Sequence, residues 1–291
     1  MENRKSIFYI VLTALCFGTM EVASKLGGAS FDSIQLVFLR FVIGGLILLP
    51  FAVHDLKKKH YRLTHSDWLY LLALGAVCVC ISMAMFQIGV KRINANLASI
   101  IISMNPLFTM IFAKFIVDEP FTKKKALVLV ISFAGLVIVV NPATLIGGTI
   151  DVTGLLITVG AAVSFGLYTA MGKKRIAKLG GMVENAVSFL LGSAVLLVFM
   201  AISGTPVLAG INTETLPVLL YLGICVTGIG YYAFLKAIEL SGASNASIAF
   251  FIKPVVAPIA AWLVLGEAIT WNFVAGVVVI LIGSYINMRK E

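Results

Sequence analysis

Three ionisable side chains fall deep inside apolar runs of this 291-residue chain: Glu21, Arg40 and Lys253. A charge held in hydrocarbon costs about 2.5–3.5 kcal/mol on insertion scales, so each such residue is expected to pair or to serve a function. Glu21 lies about 21 Å along its run at the rise of an α-helix, and Arg40 sits at a similar depth in the next run. Two readings follow. An ion pair between Glu21 and Arg40 would staple two helices together, or Glu21 would be the carboxylate that meets a substrate or a coupling proton. Lys253 is near the middle of its run, too deep for its stem to reach either surface, and needs a partner or water.

Lys253 is followed directly by Pro254, and Asn105 by Pro106. Proline lacks an N–H and frees a carbonyl one turn back. Irregular backbone at membrane depth survives only where protein or a wet cavity satisfies it. Asn105-Pro106 and Lys253-Pro254 are therefore candidate site-and-hinge positions, with plain packing kinks as the alternative. Tyr168, Tyr231, Tyr232, Phe165 and Phe251 could line a cavity or simply pack. Asn96, Ser99, Asn245 and Ser247 suit helix-to-helix hydrogen bonds. Lys25 and Lys114 can snorkel, while Glu119 and Glu267 belong at helix ends as caps or ion-pair partners.

Other chemistries find little support. His54, His60 and His65 share a basic loop without a cysteine or carboxylate cluster, so no metal site is expected. Cys16, Cys78, Cys80 and Cys225 all fall in apolar runs and form no C-x-x-C pair. No H-E-x-x-H, G-x-S-x-G or Gly-rich nucleotide loop occurs, which argues against an enzyme, a nucleotide cofactor and ATP-driven transport. No ring of like charge or filter-like stretch suggests a channel.

The elements that must position these residues are helices in a bilayer. The chain is 60% hydrophobic and 12% charged, far from the balance of a soluble domain. Ten apolar runs of spanning length are predicted, near 7–27, 33–53, 68–90, 94–117, 124–141, 153–172, 182–203, 215–236, 243–265 and 270–288. The first lacks a small-x-small cleavage site and reads as a retained helix. A net charge of +9 could suggest nucleic acid, but its placement points to topology. Lys57–Lys59, Lys123–Lys125, Lys173–Arg175 and Arg289-Lys290 fall on one side, and only Lys25, Lys91 and Arg92 on the other. By the positive-inside rule both termini are cytoplasmic, in a prokaryotic plasma membrane.

Shifted by 148 positions, the chain aligns with itself. Phe17-Gly18 falls on Phe165-Gly166, Gly44 on Gly192, Gly75 on Gly223, and Pro106 and Glu119 on Pro254 and Glu267. Five helices per copy is an odd number, so the second copy enters the membrane from the opposite side. The expected organisation is an all-α membrane protein of two inverted repeats, residues 1–143 and 151–291, an arrangement on which many secondary transporters are built.

On Phe17-Gly18, Leu39-Arg40-Phe41, Asn105-Pro106 through Asp118-Glu119, and Lys253-Pro254 through Gly266-Glu267, the two copies resemble paired EamA domains of the drug/metabolite transporter superfamily. The resemblance implies ten helices, with 1–4 and 6–9 around a central cavity and 5 and 10 at the periphery. A helix 1 glutamate also serves small multidrug resistance proteins of the same superfamily, in a different sequence context. The expected function is a monomeric permease or exporter of a small polar metabolite. An amino acid or amphoteric compound ranks first, an organic anion second and a cationic or guanidinium-like drug third, with protons as a candidate coupling ion. The candidate substrate residues are Glu21, Arg40, Asn105, Lys253, Tyr168, Tyr231 and Phe251, with Pro106 and Pro254 as hinges.

Overall fold

A computed structural model of the chain describes residues 2–118, 122–140, 150–246 and 248–288. Within them the regular structure is helical. Seven helical stretches are long and apolar enough to cross a membrane: α1 (Lys5–Gly28), α2 (Ser33–Lys58), α3 (His65–Arg92), α4 (Ala95–Ile116), α6 (Val152–Leu179), α7 (Gly181–Ser203) and α8 (Leu216–Ala237). The other three are α5 (Lys123–Val140), α9 (Ile248–Leu265) and α10 (Trp271–Met288), whose apolar portions are shorter. Glu119 and Ser247, and the side chains of Asn245 and Phe251, lie outside the described residues.

Helix starts follow local chemistry. Asp32 accepts from the Ile34 N–H at 2.8 Å while Gln35 accepts from the Asp32 N–H, a capping box that opens α2. Thr64 and Asp67 repeat the device at α3. Asp151 caps α6 through the Gly154 N–H, and Arg92, 2.7 Å away, holds its carboxyl below the usual carboxylate range. Asp67 also accepts from Arg175 and Lys178 at 2.8 and 2.9 Å, tying that end of α3 to α6. At the opposite end, Glu267 accepts from the Ala95 and Asn96 N–H groups and pairs with Lys25, so the chain beyond α9 caps α4 and holds α1.

Small residues set the crossings, as expected where close packing rather than hydrophobic exclusion joins helices. A Cβ on Gly75 would lie 2.2 Å from the Ser188 carbonyl oxygen, and one on Gly192 would lie 2.6 Å from the Gly75 oxygen, so α3 and α7 touch backbone to backbone. Gly18 of α1 faces Val256 of α9, and Gly166 of α6 faces Phe108 of α4. α5 and α10 pack mainly along each other. In α3 and α8 the helix widens into i to i−5 turns, over Ala76–Met83 and Tyr221–Gly230. α4 is interrupted at Met104, between Ser103 and Asn105, whereas Pro254 sits inside a continuous α9.

Gly75→Ala is expected to destabilise the bundle by about 1–3 kcal/mol, because its methyl group meets backbone that cannot rotate away. A lowered thermal unfolding midpoint of the purified protein checks it, and an unchanged midpoint would refute the crossing.

Candidate functional site

Around the middle of the bundle lies a small cavity lined by Phe17, Met20, Met83, Ile102, Asn105, Phe165, Tyr231, Phe250 and Lys253. As it stands it has room for about one water molecule. Eight of the nine wall residues form four pairs separated by the same 148 positions: Phe17 with Phe165, Met83 with Tyr231, Ile102 with Phe250, and Asn105 with Lys253. The ninth, Met20, corresponds to Tyr168, which packs on Phe165 at 5.4 Å. In the last three pairs the first half contributes methionine, isoleucine and asparagine where the second contributes tyrosine, phenylalanine and lysine. The aromatic side is knit together by edge contacts, Phe17 to Tyr231 at 5.1 Å and Phe189 to Tyr231 at 5.0 Å.

The structure corrects the pairing of the buried charges. Glu21 does not pair with Arg40; its Oε1 lies 2.7 Å from the Lys253 Nζ, and both residues are almost wholly buried, at 0% and 2% exposed. The reason is rotation rather than depth. Gly18, Glu21, Val22 and Lys25 form one stripe of α1 at helical spacing, and that stripe faces α9. Gly18 meets Val256 and Ala257, Val22 clusters with Ala261, and Lys25 reaches Glu267. Lys253, Ala257 and Ala261 form the matching stripe of α9, so the lysine has the partner that its depth demanded.

Arg40 is instead buried on α2, with its guanidinium 4.9 Å from the Phe41 ring centroid and within electrostatic reach of Tyr231, Cys78 and Glu21. Neither Glu21 nor Arg40 lines the cavity wall; each stands behind a residue that does, Glu21 behind Lys253 and Arg40 beside Tyr231. Tyr168 is buried just outside the wall, and its hydroxyl donates to Asn185. Asn105 is in the wall, its side-chain amide donating to the Ile102 carbonyl at 2.7 Å.

Several polar residues escaped the sequence reading. Glu184, one turn into α7, is buried and lies beside Asn185, with Gly172 and Arg175 of α6 nearby. Its position near a predicted helix end hid it among capping residues. Gln87 of α3 is also buried and donates to the Ser24 carbonyl at 3.0 Å, linking α3 to the same turn of α1 as Glu21.

Removing one member of a buried ion pair strands the other. Glu21→Gln or Lys253→Gln alone should therefore destabilise the protein by about 3–5 kcal/mol, and the double variant by clearly less than the sum of the two. Chemical unfolding of the four proteins of the cycle checks it; additive losses would show that the pair is not coupled.

Comparison with known proteins gives the family. A model described as the EamA-like transporter family matches the chain twice, over residues 4–141 and 152–289. An uncharacterized transporter of Clostridium kluyveri is 40% identical over 293 residues, covering 99% of this chain and 94% of the relative. S-adenosylmethionine uptake transporters of Rickettsia prowazekii and Rickettsia bellii are 25% and 26% identical, each over 98% of this chain and over 92% and 94% of their own lengths. A solved crystal structure, 17% identical, superposes with a TM-score of 0.69 over 97% of this chain and 96% of its own, a likeness of fold. The chain is a membrane transporter and belongs to the EamA-like transporter family.

Proposed function

We propose that the protein is a secondary transporter that moves a small amphoteric metabolite, an amino acid or a close derivative, by alternating access around the cavity between Asn105 and Lys253. The observation that carries this reading is the paired wall. Four residue pairs at one constant offset line a single cavity, which is what a site on the axis between two repeats requires. The reading takes all ten helices as membrane spans, in two inverted repeats, residues 1–143 and 151–291, with both termini cytoplasmic in a prokaryotic plasma membrane. Exchanged contacts support it. Gly18 on Val256 becomes Gly166 on Phe108 when the halves are swapped, and Gly135 on Ile280 becomes Gly283 on Ser132. Pro106 and Pro254 adjoin the two polar wall residues and serve as the hinges.

The chemistry of the wall favours an amphoteric ligand. Lys253 offers a cation to a carboxylate, Glu21 behind it offers an anion to an ammonium group, and Asn105 can both donate and accept. Phe17, Phe165, Tyr231 and Phe250 would take an apolar or planar remainder. S-adenosylmethionine, named for the rickettsial relatives, has an amino-acid end, a sulfonium charge and a planar base, and is the first compound to test. Such a ligand is larger than the present cavity, so its entry requires the helices around the cavity to part. An organic anion is the second reading, favoured by the charges at and just behind the cavity wall, Lys253 and Arg40 against Glu21. A lone organic cation would meet repulsion from both. Glu21 remains the candidate for a coupling proton, in a monomeric carrier.

Uptake into proteoliposomes of S-adenosylmethionine, neutral amino acids, organic acids and organic cations tests the ranking. Amphoteric flux should be largest and should fall roughly tenfold or more in Lys253→Gln. Robust cation flux indifferent to that change would overturn the reading. Pro106→Ala and Pro254→Ala should slow flux more than they lower the yield of folded protein.

The topology has its own check. Single cysteines at His65 and Gly210, in a background without Cys16, Cys78, Cys80 and Cys225, should react with an impermeant reagent from the inside and the outside respectively. Labelling of both from one side would contradict the inverted arrangement.

A further inference from the structure

We propose that Arg40 is the floor of a buried anion site beside Tyr231, which takes a small monovalent anion, either a substrate carboxylate or a free halide. The site stands without the transport reading; only a carboxylate supplied by the cargo rests on it.

Arg40 is 1% exposed, and a guanidinium does not give up its proton in a protein. Among the described residues no carboxylate lies in ion-pair range of it. Glu21, whose charge it senses, is held by Lys253 at 2.7 Å. Of Glu21, Lys253 and Arg40, the group without a partner is therefore Arg40. Its ring contact with Phe41 at 4.9 Å compensates only part of a full charge.

The free donors say what shape of anion fits. The Nε and Nη2 atoms are both buried without a hydrogen-bond partner, and in arginine these two N–H groups lie parallel along one edge of the planar fork. That edge matches the two oxygens of a carboxylate, or cradles a single halide between its donors. The carboxylate whose charge reaches Arg40, Glu21, is already held by Lys253. Cys78 of α3 and Tyr231 of α8 reach Arg40 electrostatically, Phe189 of α7 stacks edge-on against Phe41 and Tyr231, and the residue of the second half that corresponds to Arg40 is the neutral Ser188. The demand for an anion is therefore one-sided. Tyr231 belongs both to the cavity wall and to the neighbourhood of Arg40, so a turn of this ring would open the cavity toward the guanidinium.

Thermal unfolding of the purified protein in sodium gluconate, titrated at constant ionic strength with acetate, chloride or bromide, tests the site without any transport assay. The wild type should show a saturable rise in midpoint with acetate, with a halide, or with both in competition. Acetate alone identifies a cargo carboxylate as the occupant, halide alone a resident ion, and competition one pocket shared by the two. Arg40→Gln should lose the anion-dependent rise while remaining at least as stable as the wild type in gluconate, because it removes an unpaired charge. If Arg40→Gln does not fold, Arg40→Lys should fold and bind the anion about tenfold or more weakly, having lost the fork. Absence of an anion-dependent shift in the wild type, or an equal shift in the Arg40 variant, overturns the proposal. Absent uptake of every amphoteric compound with the shift intact would instead sink the transport reading and leave the anion site standing.

Discussion

The ion pair between Glu21 and Lys253 is the constraint around which the rest of the bundle is arranged. Both residues are almost wholly buried, so α1 and α9 must present these charges to each other. The small residues on the two helices make this possible. Gly18 lets α1 approach Val256 and Ala257, and Val22 meets Ala261 one turn further on. Glu267 and Lys25 then hold the same two elements at the end of the bundle and fix the start of α4. Asn105 is carried into the cavity wall by the second segment of α4, beyond the break at Met104. One electrostatic requirement thus propagates through helix rotation to the whole cavity wall.

Much of this was legible in the sequence. The helical class and the internal duplication follow from apolar runs and from matched Phe-Gly and proline positions. Asn105 and Lys253 correspond in the two halves by sequence alone, and both line the one cavity. The partner of Glu21 was not legible from depth, because residue counts give position along a helix axis but not the direction a side chain faces. Glu21 and Arg40 share a depth and yet look toward different neighbours. The missing signal was the stripe of Gly18, Glu21, Val22 and Lys25, which identifies the packing face of α1, and its counterpart Lys253, Ala257 and Ala261 on α9. Tyr168 was chosen as a wall residue and stands one layer back, because Phe165, a turn away on the same helix, fills the space in front of it. The widened turns of α3 and α8 had no sequence signal, since an i to i−5 bond uses the same residues as an ordinary turn.

Approximate correspondence between the halves coexists with unequal polarity. Phe17 and Phe165 match across the wall, but Met83, Ile102 and Asn105 of the first half stand against Tyr231, Phe250 and Lys253 of the second. Scaffold contacts such as Gly18 with Val256 and Gly166 with Phe108 keep the same backbone approach in both halves, because a methyl group there would collide with its neighbour. At three of the four paired cavity positions the copies differ.

In the transport reading proposed above, that divergence bears on how an elongated ligand would lie in the cavity. Between two identical walls, a molecule with unlike ends would fit equally well either way round, and half of the bound population would present the wrong end to each side. The resulting mixing is worth only RT ln 2, about 0.4 kcal/mol, but it would blur every later step. On that reading a single lysine paired with a single asparagine would remove the degeneracy, since a head-to-tail reversal would take an anionic end away from Lys253. A duplicated chain can acquire such a direction by one substitution in one copy, which a dimer of identical subunits cannot do.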